Sequence, residues 1–407
     1  MNTKKLENNI RKFYMLRFFY ALCFIIPVLV IYWQNNWLSL TEIMLLQSIY
    51  AISMVLLEIP SWYLADIFGR KKSIIVWVIL WLVGNIIVAF GYGFIDFLIA
   101  ELIFAIGTAA LSGADTAFIY DTLKDLWREK EYKKIWWKTT SIYLITMAAA
   151  QIIGWFVAHF WLPFNILNNI DNFKITLFIW LPLIALAIPF AFSLHEPKKH
   201  KTIVKKWYLT DLLITLKKEV ISNKNTLWMM LFFMILWGSY GFALWFYQPY
   251  FKYLWLDLLY FGIIFGWFQI FSAIISRYTY KIEKKLWFTY TIILSTILVI
   301  VSYIGMWNVW AVRWLIFCFF QQFVRWLYWI LSTDYIHSRV SSQYRATIQS
   351  IQNLWKSLVY ALFLPVFWWI ADIYTLSESF IIIGITSAII LIPILIILFR
   401  KRVLILK

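Results

Sequence analysis

The sequence predicts an all-α integral membrane protein, with twelve transmembrane helices in two pseudo-symmetric six-helix bundles. Three observations lead there: the apolar excess, the regular spacing of apolar runs, and the one-sided placement of positive charge. The 407 residues are 63% hydrophobic, 21% aromatic and 14% charged. Soluble domains average about 45–50% apolar and about 25% charged residues. A water-soluble fold of this length cannot hide that much apolar surface, because surface area shrinks too slowly with size. The solvent is therefore a bilayer.

A helix needs about 20 apolar residues to cross roughly 30 Å of hydrocarbon. Runs of that kind lie near 13–33, 40–62, 73–92, 95–120, 139–160 and 174–194. A second set lies near 226–249, 257–277, 286–305, 308–332, 346–371 and 377–399. The longest polar stretch, 195–225, opens with His195-Glu196-Pro197 and separates the sets. It divides the chain into an N-terminal bundle over 1–194, a basic linker over 195–225, and a C-terminal bundle over 226–407. The first twelve residues are polar and basic, and the apolar run behind them is too long for a signal-peptide core and lacks a small-residue cleavage site. Met1 is read as retained.

Lysine and arginine concentrate in cytoplasmic loops of membrane proteins. Of the 37 in this chain, 31 fall in the N-terminus, the even-numbered loops, the linker and the C-terminus. Only Lys174 and Lys252 fall on the opposite side, and Arg17, Arg313, Arg325 and Lys356 fall within spans. The asymmetry predicts an even number of spans with both termini in the cytoplasm. It also accounts for the net charge of +17 without a nucleic-acid partner.

The two cysteines, Cys23 and Cys318, lie inside apolar runs, so no disulfide framework is predicted. The sequence contains no His-Glu-x-x-His, Cys-x-x-Cys or Gly-x-Ser-x-Gly, and Gly69-Arg70-Lys71-Lys72-Ser73 lacks the frame of a phosphate-binding loop. Neither an enzyme nor an ATP-driven pump is expected, and no cofactor is called for beyond an ion gradient, with the proton as first choice.

The spans differ in polarity. The twelfth holds nothing more polar than Thr386 and Ser387, and the third, sixth and ninth are nearly as bland, so every third helix is expected at the periphery. Span 4 carries Glu101, Ala105, Thr108, Ser112 and Asp115 on one helical stripe, and span 11 carries Gln349, Gln352, Asn353, Lys356 and Tyr360. Span 10 adds Gln321 and Arg325. Such stripes either line a solute path or pair with each other to hold the bundle. Lys356 lies nearest the midpoint of its span and has no acidic residue in its own helix before Asp372, which favours a functional role. Proton coupling needs a carboxylate that alternates exposure, and the candidates are Glu58, Glu101 and Asp115. Glu58 sits just before Pro60 and has a structural alternative.

After span 2 comes Pro60-Ser61-Trp62-Tyr63-Leu64-Ala65-Asp66-Ile67-Phe68-Gly69-Arg70-Lys71-Lys72-Ser73. This stretch resembles the signature of the loop between spans 2 and 3 in the major facilitator superfamily. Trp62 stands where that signature has its leading glycine. The run from Ser112-Gly113-Ala114-Asp115 to Tyr120-Asp121 is similar to the end of span 4 in one bacterial branch, and Arg345-Ala346-Thr347 fits the same branch. The resemblance covers essentially the whole chain. It implies a transporter working by alternating access, with Asp66, Gly69, Arg70 and Lys71 forming part of a cytoplasmic gate with Asp115 or Asp121. Independently of family, Gly69 offers the φ freedom of a tight turn, Asp66 is an anion suited to a helix N-terminus, and Arg70 can take either aspartate. The plainer alternative is that Arg70, Lys71 and Lys72 only anchor topology. Lys284-Lys285 and Asp334 follow Lys71-Lys72 and Asp121 at one common interval of 213 residues, a weak echo of duplication.

The first functional expectation is proton-coupled efflux of amphipathic compounds by a monomer, although Ala148 to Trp155 matches only the tail of the glycine-rich stretch usual in efflux members. The alternative is uptake or exchange of an anionic metabolite, favoured by Arg313, Arg325 and Lys356. A membrane enzyme or lipid-handling protein is a distant third, since no cluster of metal ligands or nucleophiles is seen.

One compositional feature stands apart. There are 26 tryptophans and 13 glycines, where glycine at its usual frequency of about 7% would number roughly 28. An aromatic belt suits Trp33 and Trp37 but not mid-span Trp155, Trp267 or Trp326. The expectation is a source cell that reads UGA as glycine, with Trp62 and Trp155 the first suspects.

Overall fold

The computed structural model describes residues 3–160, 172–197, 216–257, 260–308, 314–339 and 345–401. Side chains of 58–68, 276–287 and 336–339, among others, lie outside that description. Most of the described residues are helical, with no strand among them.

The first half runs α1 (Thr3–Ala21), α2 (Leu29–Asn35), α3 (Leu40–Phe68), α4 (Arg70–Phe90), α5 (Gly93–Leu111), α6 (Ala114–Asp125), α7 (Tyr132–Phe160), α8 (Asn172–Ala185) and α9 (Ala187–Ser193). The second runs α10 (Lys224–Tyr253), α11 (Phe261–Asn308), α12 (Leu315–Arg339), α13 (Arg345–Ile373) and α14 (Leu376–Arg400). Two helix starts are written plainly in the sequence. Ser39 and Glu42 exchange hydrogen bonds at the head of α3, and Thr375 and Glu378 form the same reciprocal cap on α14. Each satisfies amide hydrogens that the first turn leaves without partners.

Among the described residues, ten helical stretches are long and apolar enough to cross a membrane, from Thr3–Asn35 to Leu376–Arg400. The chain is a multi-pass membrane protein. Three expected spans are not single helices. Span 1 breaks between Ala21 and Leu29, around Pro27, whose ring removes a donor and clashes with the preceding turn. Span 4 breaks at Ser112-Gly113, where Gly113 has φ 74°, so the stripe from Glu101 to Asp115 is divided between α5 and α6. Span 6 breaks at Leu186, directly after Ala185, whose carbonyl is obstructed by the ring of Pro189 four residues on. The opposite correction applies to spans 8 and 9. Residues 261–308 form one helix of 48 residues, α11. The stretch Arg277 to Lys285 holds neither glycine nor proline, so nothing in it ends a helix.

The described chain separates into two compact units. One holds Met1–Lys206 with Asp257–Ile270, the other Trp207–Leu256 with Phe271–Lys407. In the first, Ile10, Phe13 and Leu16 of α1 pack with Ile74, Trp77 and Val78 of α4, Phe118 and Leu123 of α6, and Ala187 and Ala191 of α9. The start of α11 also belongs to this unit and crosses α7 closely. A Cβ built on Gly262 would collide with Cβ of Trp155, so glycine at 262 is what lets the two backbones approach.

Large apolar side chains stand outward in both units: Leu56, Phe90, Ile145 and Ile389 are each more than 60% exposed. Such a surface suits lipid and not water. The twelfth span, α14, is the least buried of the ten at 28%, as expected of a peripheral helix. The third and ninth, at 44% and 50%, are not less buried than the second and fourth, each at 33%. Lipid tails and apolar side chains are alike as surroundings, so apolarity alone does not say which a helix face meets.

Candidate functional site

The turn from α3 into α4 is built on Gly69, whose φ of 101° belongs to glycine. The anion at the head of α4 is Glu196, from the far end of the unit's sequence. Its carboxylate accepts the amide hydrogens of Arg70 at 2.7 Å and Lys71 at 2.8 Å. Those amides are orphans of the first turn and carry the positive end of the helix dipole. A Cβ on Gly69 would stand 2.9 Å from the same carboxylate. Asn9 secures the approach, accepting the amide hydrogen of His195 at 2.9 Å and donating to its carbonyl at 2.8 Å. Lys12 donates to the carbonyl of Ser193. Partial burial, then Lys12, Lys5 and Lys71, hold the imidazole of His195 below its ordinary pKa.

The side chain of Asp66, expected to meet a helix N-terminus, lies outside the described residues, as do those of Glu58 and Trp62. The signal for Glu196 was present but unread: an acid directly behind a span, followed by proline, inside a basic linker. Glu196→Gln keeps the shape and removes the charge. The expected cost is about 1–2 kcal/mol, measured as a lower melting temperature in detergent; an unchanged melting temperature would show that the clamp contributes nothing.

Of the two aspartates open to Arg70, the structure selects Asp121, with Nε and Oδ2 at 3.7 Å. Asp115 is taken by Arg17 of α1, in an ion pair. The Arg17 guanidinium also lies 5.3 Å from the Phe13 ring centroid and 5.7 Å from that of Trp136. That pairing ties α6 to α1 and gives Asp115 a structural partner.

Glu101 differs. It is buried in α5, and Gln47 of α3 donates to its Oε1 at 2.9 Å. No ion pair to Glu101 occurs among the described residues.

In the second unit, α12 and α13 bring a polar group together around Tyr328. Gln352 donates to the Tyr328 hydroxyl at 3.1 Å, and Nζ of Lys356 lies 5.1 Å from the ring centroid. Lys356 also reaches Oδ1 of Asn353 at 3.3 Å. Arg325 stands three residues before Tyr328, on the same face of α12, and touches Gln322 at 3.5 Å. No carboxylate among the described residues pairs with Arg325. Aromatic rings complete the surroundings: Tyr240 at 5.7 Å from Tyr328, and Trp237 at 4.4 Å from Tyr360. Gln321 is held differently, its amide donating to Ser302. Arg313 and the side chain of Gln349 lie outside the described residues.

A family model described as "Major Facilitator Superfamily" matches residues 13–364. The chain belongs to that superfamily. Membership of that superfamily makes it a membrane transporter rather than an enzyme. An uncharacterized transporter of Buchnera aphidicola subsp. Acyrthosiphon pisum is 33% identical over 105 residues. That alignment covers 26% of each chain, so the chain spans about a quarter of the length of the curated relative it matches. Solved structures of the superfamily's fold are similar over nearly the full length. A nucleoside transporter, NupG, gives a TM-score of 0.76 at 14% identity, covering 98% of this chain and 100% of its own. A D-xylose–proton symporter gives 0.70 at 13% identity, covering 95% of both. At such identities the likeness is one of fold. The superfamily signature accounts for Gly69 and Arg70, whereas Arg17, Gln47 and Glu196 carry no motif that marks them.

Proposed function

We propose that this chain is a proton-coupled secondary transporter of the bacterial cytoplasmic membrane, working by alternating access as a monomer, and that its solute carries an anionic group. The observation that carries the coupling is Glu101, a buried carboxylate whose hydrogen-bond partner is the neutral amide of Gln47. A charge without a counter-ion inside a membrane span is costly, so a carboxyl in this place is suited to taking up and releasing a proton as exposure alternates. The anionic solute is favoured by Lys356, which lies over the Tyr328 ring, and by Arg325, three residues before Tyr328 on α12. The Arg70–Asp121 pair and the Glu196 clamp support the gating role assigned to this loop, with Asp66, Gly69 and Lys71 its remaining members. No cofactor is required beyond the proton gradient.

Efflux of amphipathic compounds is the second reading, favoured by the rings of Trp237, Tyr240 and Tyr360. Purified protein in liposomes with a trapped pH dye separates the two. Carboxylate and phosphate solutes are expected to drive proton movement, and lipophilic cations are not; proton movement with lipophilic cations alone would overturn the anionic assignment. The 31 basic residues on one side motivate cytoplasmic termini. Reporter fusions at Lys201 and at Lys407 are both expected to give cytoplasmic signals, and an external signal at either refutes the orientation.

A further inference from the structure

Among the described residues, three that are not glycine have a backbone φ in the left-handed region: Trp37 at 70°, Trp127 at 60° and Trp255 at 56°. All three are tryptophan. Each occupies the same position at the end of a helix. The amide of Trp37 bonds the carbonyl of Gln34, and that of Leu38 the carbonyl of Trp33. The amide of Trp127 bonds Lys124, and that of Arg128 bonds Leu123. The amide of Trp255 bonds Lys252, and that of Leu256 bonds Phe251. This paired pattern is the Schellman helix stop, whose left-handed residue is usually glycine because a Cβ there is strained.

Tryptophan is poorly suited to the position. Asn and Asp tolerate left-handed backbone through a short polar side chain that bonds locally, which an indole cannot do. Packing gives no compensation, since the three side chains are 90%, 90% and 94% exposed. A membrane-interface belt does not explain the set either. Trp127 stands in the charged run Lys124-Asp125-Leu126-Trp127-Arg128-Glu129-Lys130, and Trp37, which an interface would suit by sequence, shares the same helix-stop geometry. The remaining left-handed positions among the described residues are Gly69, Gly93 and Gly113. Among the described residues, left-handed backbone is thus occupied by glycine or tryptophan alone, in a sequence with 26 tryptophans and 13 glycines.

We infer that the source cell reads UGA as glycine, and that positions 37, 127 and 255 of the protein it makes are glycine. The two residue types are connected by the code and not by chemistry: reading UGA as tryptophan prints Trp wherever such a cell uses UGA for glycine. Interior indoles agree with this, as the buried N–H groups of Trp77, Trp180 and Trp368 have no acceptor among the described residues, an arrangement cores avoid.

The gene and the native protein decide. UGA is expected at all three codons, and peptide mass spectrometry of the full chain from the source cell is expected to show glycine there. A UGG codon at any of the three, or tryptophan in the peptides, overturns the inference. A stability measurement stands beside these. In the full chain, W37G, W127G and W255G are each expected to raise the folded-to-unfolded ratio by about five-fold or more, while W37A, W127A and W255A, which retain Cβ, do not. Equal stability of the glycine and alanine forms would overturn the left-handed argument.

Discussion

Glu101→Gln is expected to abolish solute accumulation while leaving downhill exchange in place. Glutamine reproduces the shape of the protonated carboxyl and cannot lose a proton, so the variant is locked in one of the two states that coupling requires. The partner, Gln47, donates to Oε1 at 2.9 Å, and a glutamine carbonyl can accept that bond, so folding is preserved. In liposomes with an imposed pH gradient, accumulation is expected to fall to the level of solute equilibration. Counterflow of labelled solute, which needs no net proton movement, is expected to continue. Undiminished accumulation by the variant would remove Glu101 from the coupling step and with it the observation on which proton coupling rests.

The second large effect is expected at Lys356. Methionine keeps the unbranched apolar stem and deletes the charge, so α13 stays folded. A hydrogen bond to a charged group contributes about 1.5–3 kcal/mol, and solute affinity is therefore expected to fall by roughly 10- to 100-fold. Lys356→Arg is expected to lose less, because the charge remains while the geometry around Tyr328 changes. Ligand-dependent melting with the solute identified in liposomes measures both. Unchanged affinity in Lys356→Met would return Lys356 to a packing role beside Tyr328 and Asn353.

The candidate site was legible in proportion to how local its contacts are. Gly69 and Arg70 sit in one loop with a recognisable spacing, and the left-handed turn at Gly69 follows from that loop alone. Lys356, Asn353 and Tyr360 share a helical face that spacing reveals directly. The partners are another matter. Both Asp115 and Asp121 lie within reach of Arg70 by sequence, and only packing assigns Asp121 to Arg70 and Asp115 to Arg17. Glu101 was a candidate by its place in an apolar run, but Gln47 lies 54 residues away on another helix. Glu196 lies 126 residues from Arg70, so no local pattern could join the linker to the start of α4.

By itself the sequence determined the membrane environment, the all-helical class and the superfamily. These depend on composition, on runs of about 20 apolar residues and on a loop signature, all of which are properties of short stretches of chain. The tertiary structure decided where spans 1, 4 and 6 break, that 261–308 continue as one helix, and which acid meets which base. A helical period fixes the face on which a side chain lies, but not what stands opposite it. Ion pairs and dipole contacts act over a few ångströms in space, and that distance is set only when distant segments pack together.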